Sequence, residues 1–369
     1  MSTTTLLQRQ VAMLYLFGIG PSKARYILSL IPDLEMFFSL PDEHLAKILK
    51  TKLSVVTKMN RSRALDLADE VLEPIEKTGS KVHFITDESY PRRLKQCDDA
   101  PILLFQKGNV ELNVQRSLAI VGTRRPSQYG LSVVESLIKS LKGMEVIVFS
   151  GLAYGIDVYV HQLCLQYQIP TYAVLGHGLD RVYPFVHHRV ARDMQKNGGL
   201  LSEFVPGTAP DRENFPKRNR IVAGLSDATL VVESMSKGGS LITANLANDY
   251  NRDVFAVPGP IDADLSKGCN QLIAGQKAHL YTGPEGMLEL LGWKEEKKKV
   301  ENVQRQLWTS TDPLESKLLS LLLEKGEMHI DSIAAQCKMA ISKTSVMLFG
   351  LEMNGAIKSL PGKRYALIK

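Results

Sequence analysis

At 369 residues the chain is longer than one compact core usually holds, so two or three domains are expected. Its hydrophobic share of 44% and charged share of 23% exclude a disordered chain or a membrane bundle, and a formal charge of +6 permits a polyanionic partner without requiring one. Four scattered cysteines, Cys97, Cys164, Cys269 and Cys337, form no CxxC pair, which argues for a reducing compartment and against a zinc site. The opening MSTTTLLQRQ lacks a basic-then-apolar signal layout, and no apolar run is long enough to span a bilayer. A cytoplasmic protein with no membrane association is expected.

Residues 6 to about 79 read as helical. Val11, Leu14, Tyr15 and Phe17 lead into Gly18-Ile19-Gly20-Pro21, and Ile27, Leu28 and Leu30 resume an apolar stripe beyond it. Two stripes joined by such a turn have the form of a helix-hairpin-helix, whose glycines let backbone amides approach a phosphate. A plain turn in a small helical bundle fits equally well. A further helix is expected from Asn60, giving a SAM/helix-hairpin-helix-like domain over residues 1–80.

From Lys81 the period shortens. VHFITDESYP and PILLFQKG are short strands at the edge of an α/β domain, and the core that follows alternates strand and helix. The strands are SLAIVG, VIVFSG, PTYAVLG, GLLSEF, ATLVVES, DVFAVPG and AHLYTG. The intervening helices are expected at 130–141, 156–167, up to Met194, at 218–225, at 240–251, from Gly268 and at 285–291. Short continuous apolar strands alternating with helices indicate a doubly wound, mostly parallel, Rossmann-like sheet over residues 81–293. Residues 294–312 open with KEEKKK and read as a linker. Over 313–369, apolar positions mark three helices. The third, 342–353, carries Val346, Leu348 and Leu351 and ends at Asn354-Gly355; AIKSL, a PGK turn and RYALI then form a hairpin, giving a winged helix. That third helix holds Lys343 against Glu352, so protein docking and duplex binding are both open roles.

Four clusters fall at the ends of predicted strands or just beyond them. The first is Gly122-Thr123-Arg124-Arg125. The second is Ser150-Gly151-Leu152-Ala153-Tyr154-Gly155-Ile156-Asp157, in which Asp157 either meets a sugar or fixes the loop. The third is Asn214-Phe215-Pro216-Lys217-Arg218-Asn219-Arg220, and the fourth Gly238-Gly239-Ser240-Leu241-Ile242-Thr243. Carboxyl ends of parallel strands lie along one sheet edge, so all four should face one crevice. Together they offer amides, hydroxyls and cationic side chains for phosphates, with Phe215 as a base platform, a combination suited to single-stranded nucleic acid. GxxxxGK[ST] does not occur and GTRRPSQYG is not GxGxxG, so ATPase and dinucleotide-binding readings lack support. His177, His187 and His188 have no carboxylate at ligand spacing, and no metal or cofactor is expected. Ser150 and Ser240 lack a histidine partner. Glu203 and Glu233 follow strands, and an alternative reading makes one of them the base of a nucleotide-processing hydrolase.

VGTRRPSQYG, SGLAYGIDVYVHQ, AVLGHGLDRVYP, the long GLLSEFVPGTAPDRENFPKRNRIVAGLSDATLVVES, KGGSLITANLA and AVPGP, in this order, resemble the DNA-processing protein A (DprA/Smf) family. The resemblance is dense from about Tyr90 to Trp293. It implies a non-enzymatic cytoplasmic protein of natural transformation that binds and protects incoming single-stranded DNA and loads the recombinase RecA onto it. It also implies a homodimer formed through the Rossmann-like domain. By the same resemblance, a Gly-Ser/Thr-x-Arg motif maps to Gly122, Thr123 and Arg125, with Arg124 at the variable position. The FPxRNR segment maps to Phe215, Lys217, Arg218, Asn219 and Arg220. Gly151 and Gly155 in the SGxAxGID loop, with Gly239, Ser240 and Thr243 at the GGS turn, complete the expected DNA-binding set.

Overall fold

Burial on both faces decides the central sheet. In the computed structural model β1 spans Lys81–Phe84, β2 Leu103–Gly108, β3 Arg116–Val121, β4 Val146–Ser150 and β5 Thr171–Val174. Then follow β6 (Gly198–Ser202), β7 (Ala228–Val231), β8 (Asp253–Ala256) and β9 (His279–Leu280). Every residue of β4, β5, β6 and β7 is buried, as a parallel sheet covered by helices requires. The nine strands lie in the order β1-β2-β6-β5-β4-β3-β7-β8-β9. All pairs from β6 to β9 are parallel, whereas β1 with β2 and β2 with β6 are antiparallel. The chain therefore steps outward from β3 through β4, β5 and β6, then returns to the other side of β3 with β7. The switch point lies between β3 and β7, where crossovers diverge to opposite faces and leave a crevice at the carboxyl ends.

The structure describes residues 3–293, 313–354, 356–360 and 362–367, and divides into two compact units, Met1–Trp293 and Lys294–Lys369. The expected linker at 294–312 lies outside the described residues, as do Gly355 and Pro361. Among the described residues no helix is long and apolar enough to cross a membrane.

The first unit opens with α1 (Thr3–Ala12), α2 (Pro21–Leu30), α3 (Leu34–Ser39), α4 (Asp42–Ile48), α5 (Leu53–Met59) and α6 (Arg61–Thr78). Pro21 opens α2 at its first position, where the missing amide costs nothing. These helices bury Val11, Phe37 and Leu45 in a core continuous with one sheet face, which contributes Ala119, Val121, Phe149 and Tyr172. The alternate residues Leu118, Ile120, Val148 and Leu230 fill the other face, under the helices that carry Val134, Leu137, Ile156 and Met287. After a short α7 (Arg92–Lys95), the crossovers are α8 (Gln128–Ser140), α9 (Ile156–Tyr167), α10 (His188–Met194), α11 (Asn214–Gly224), α12 (Gly239–Asp249), α13 (Asp264–Ala274) and α14 (Pro284–Leu290).

The second unit is a winged helix. It comprises α15 (Pro313–Lys325), β10 (Met328–His329), α16 (Ile330–Cys337) and α17 (Ile341–Met353), then the hairpin of β11 (Ile357–Leu360) and β12 (Arg364–Leu367). The hairpin takes a third strand, β10, beside β12. Leu348 and Leu351 of α17 are buried, while Val346 lies on its outer face.

Two features of this core carry measurable consequences. Where β2 meets β6, Gly199 has a φ of 151° and a methyl added there would overlap the Lys107 carbonyl oxygen. Gly199→Ala is therefore expected to cost about 3 kcal/mol, read as a lowered urea midpoint with an unchanged m-value. His161 of α9 is fully buried, donating from Nδ1 to the Thr171 hydroxyl (2.8 Å), which itself donates to the Val148 carbonyl (2.9 Å). Burial, with the Arg218 charge and then His187 adding to it, pushes the imidazole down to about 3. The folded chain thus leaves this ring neutral while the unfolded chain protonates it below about 6.5. Stability contributed by the neutral ring is present above 6.5 and drains away as pH falls toward 3, by at most about 1.4 kcal/mol per unit. His161→Gln is expected to show a shallower pH dependence of unfolding free energy in this window; identical slopes would show that the ring is protonated in the fold.

Candidate functional site

Each of the four clusters sits at a carboxyl end of β3, β4 or β7 or at the start of α11, and backbone packing holds them together. Gly122 follows β3 directly, where a Cβ would press on the Ile156 side chain (2.7 Å). The Thr123 carbonyl accepts from the Ile156 amide (3.1 Å), and Gly155, at φ 78°, packs against Thr123 and Arg124 where no side chain fits. The first and second loops are thus pinned to each other. Ser127 caps α8 by accepting from the Gly130 amide (3.2 Å), and its own amide donates to Glu233 (2.9 Å).

The second loop is shaped by Asp157, whose Oδ2 accepts from the amides of Gly151 (3.1 Å) and Ala153 (3.4 Å). Burial pushes this carboxyl up, opposed by the Arg218 charge and by those hydrogen bonds. Of the two roles open to Asp157, loop fixation is the one its contacts serve. Leu152 takes a φ of 56°, a conformation that strains a leucine, and its carbonyl accepts from Nδ1 of the buried His187 (2.8 Å).

Helix α11 begins at Asn214, four residues before the expected Arg218. Pro216 falls in its first turn, where no intrahelical amide is needed, so the proline is accommodated inside the helix. Arg218 points inward beneath Gly151, where any side chain on the glycine would overlap the guanidinium, and its Nη1 donates to the Val174 carbonyl at the end of β5 (3.1 Å). Arg220 points elsewhere, pairing with Glu203 and donating to the Asp99 carbonyl. In the fourth cluster a Cβ on Gly238 would overlap the Ser234 hydroxyl, and α12 then opens with its first amides at the crevice.

All four clusters line one cleft of about 870 Å³ at the switch point. Gly122, Thr123 and Gly151 line it from the β3 and β4 ends; Phe215, Arg218 and Asn219 from α11; Gly239, Ser240 and Thr243 from α12. Four expected residues are not on its lining. Gly155 lies behind the first loop, Arg220 is held in its ion pair, Lys217 is exposed outside, and Arg125 is replaced in the lining by Arg124. The physical reason for the α11 residues is the helical period: positions 217 to 220 point about 100° apart, so a basic run cannot share one face. For the arginine pair, the Thr123 hydroxyl accepts from the Arg125 amide (3.2 Å) and turns the loop between them. The lining also includes Tyr154, a member of the second cluster outside the expected DNA-binding set, and Tyr183, Arg212 and Lys237, which lie outside the four clusters. Arg212 lies two residues before the third cluster, and Tyr183 stands beside Pro184 in the turn that follows the PTYAVLG strand.

Four cationic side chains, Arg124, Arg212, Arg218 and Lys237, face the cleft against the single carboxylate of Asp157. Glu203 is engaged by Arg220 and Glu233 by Ser127. Among the described residues no group of three or more His, Cys, Asp or Glu is arranged to hold a metal ion. His177, His187 and His188 each bond a backbone carbonyl, and the His188 ring also stacks on Phe185. A cationic cleft at the switch point, built on helix N-termini, favours an anionic ligand.

The chain is similar to known proteins over both of its units. Residues 81–292 match the model of the family described as DNA recombination-mediator protein A, and residues 305–363 match the DprA winged helix domain. The DNA processing protein DprA of Streptococcus pneumoniae is 43% identical over 204 residues, 55% of this chain and 72% of that protein. Protein Smf of Escherichia coli is 36% identical over 297 residues, 76% of each chain. The crystal structure of the pneumococcal protein superposes with a TM-score of 0.66 at 33% identity, covering 78% of this chain and 98% of the other. The Helicobacter pylori DNA processing protein A, described for its unique single-stranded DNA binding mode, superposes at 0.52 with 28% identity, covering 58% and 97%. With the sheet order, the winged helix and more than half the chain in agreement, this protein belongs to the DNA recombination-mediator protein A (DprA/Smf) family.

Proposed function

We propose that the cleft binds single-stranded DNA and that the chain is a non-enzymatic mediator which protects an incoming strand and passes it to the recombinase RecA during natural transformation. The observation that carries this reading is the convergence of three strand-end loops and the first turn of α11 on one cleft, with four cations against one carboxylate. Thr123, Ser240 and Thr243 supply hydroxyls, Gly122, Gly151 and Gly239 allow close backbone approach, and Phe215 supplies a ring for a base. The single-stranded DNA binding described for the H. pylori relative supports the same ligand. The hydrolase alternative loses support because Glu203 and Glu233 are both committed to structural partners. A homodimer in the cytoplasm belongs to this reading, as family expectations.

Lys217 and Arg125 lie off the lining, but they flank it in sequence and remain within reach of an extended strand's phosphates in this reading. Fluorescence anisotropy with an oligothymidylate is expected to show affinity falling steeply with salt. Arg124→Ala should weaken binding about tenfold and lower the salt slope by about 0.7, the single-strand value for one lost phosphate contact. Lys217→Ala should weaken it less. Unchanged affinity in both variants would overturn the proposed pocket.

A further inference from the structure

Sheet order gathers the open rings of the cleft on one side and divides its cations, with Arg212 ahead of α11 and the buried Arg218 under the β4 loop on the ring side, and Arg124 and Lys237 on the other. The loops after β3 and β7, with the start of α12, bring Arg124, Lys237 and the amides and hydroxyls of Gly239 and Ser240. The loops after β4 and β5, on the other side of β3, bring Tyr154, Tyr183 and Pro184. Phe215 from α11 joins this aromatic side, with its ring centroid 6.2 Å from that of Tyr183 and tilted by 37°. The aromatic character continues beyond the cleft. Phe185 is 76% exposed and stacks flat on His188, at 4.9 Å and 14°, with its other face open to solvent.

These rings are exposed yet held. The Tyr154 ring rests edge-on against His187 at 5.1 Å, and His187 is itself buried and bonded to the Leu152 carbonyl. Tyr183 is half exposed, leaning on Phe215. An aromatic ring fixed by its neighbours and open on a face loses little conformational freedom when a flat ligand stacks on it. A nucleobase is such a ligand, and stacking accepts any base because every base has a π-face.

We propose that Tyr154, Tyr183 and Phe185 form a base-stacking ledge that continues the cleft past Phe215 and carries the strand outward on the β4–β5 side. Phosphates lie toward the β3–β7 side and bases toward the ledge. This inference rests on the single-strand reading above, and adds to it the direction in which the strand leaves the pocket and the side its bases face.

The test compares the full-length parent with Tyr183→Ala and Phe185→Ala on two labelled polymers of about 20 nucleotides, an oligothymidylate and an abasic oligomer of equal charge. The parent is expected to prefer the oligothymidylate. Each variant should lose roughly tenfold on it and close to nothing on the abasic polymer, and Tyr183→Trp should restore binding. Arg124→Ala should lose affinity on both polymers. Losses in Tyr183→Ala and Phe185→Ala that are equal on the two polymers would show a structural effect and overturn the ledge. Parental affinity of both variants for the oligothymidylate would leave the pocket intact and overturn the ledge. No binding of the parent to either polymer would overturn the single-strand reading and the ledge together.

Discussion

The crevice depends on one buried cation. Arg218 lies beneath Gly151, donates to the Val174 carbonyl and faces the Asp157 carboxyl, which in turn gathers the amides of Gly151 and Ala153. This places the β4 loop, the end of β5 and helix α11 around one charged group. Burying a guanidinium costs several kcal/mol unless it is paired and hydrogen-bonded, so the arrangement is tight by necessity. Gly151 has no alternative residue there, because the space a side chain would occupy is already filled by the guanidinium. What this buried arrangement provides is a cleft floor whose position is set before any ligand arrives.

The opposite side of α11 is anchored as firmly. Arg220 reaches Glu203 and the Asp99 carbonyl, while the Tyr250 hydroxyl donates to the Asp99 carboxylate (2.6 Å). The same connector receives Arg25 from α2, at the carbonyls of Cys97 and Lys95, and Arg252 at the Arg93 carbonyl (2.9 Å). Residues 92–99 therefore tie the helical region, α11 and the end of α12 together. The N-terminal helices and the sheet share a core for this reason, and the first turn of α11, which presents Phe215, is held from both ends.

Much of this was legible in the sequence because its signals are periodic. Continuous apolar runs such as Val146–Ser150 announce a doubly covered parallel strand, and four glycine- or hydroxyl-bearing strand ends in an α/β pattern must meet along one edge. Direction was not legible. Which of Arg124 and Arg125 enters the cleft depends on a hydrogen bond from the Arg125 amide back to Thr123. The basic run at 217–220 looked like one patch, yet one turn of helix sends Arg218 under the cleft and Arg220 into an ion pair. The helix expected from Arg218 begins at Asn214, with Pro216 inside its first turn. Tyr183 lay in a loop whose fold follows no period, so its place beside Phe215 was visible only once the sheet order was known.

The chemistry of the lining bears on selectivity. Amides, hydroxyls and cations meet phosphates without regard to base identity, and the aromatic faces of Phe215 and Tyr183 accept any base. Sequence readout would need side chains set to meet base edges in pairs, and Asn219 is the only amide side chain on the lining. Arg218 is also unsuited to that task, since its guanidinium is already turned toward Val174 and Asp157. Under the proposed function such a site holds a strand by its backbone and its ring faces. It leaves the base edges outward, and those edges are what a recombinase must use to pair the strand with its complement.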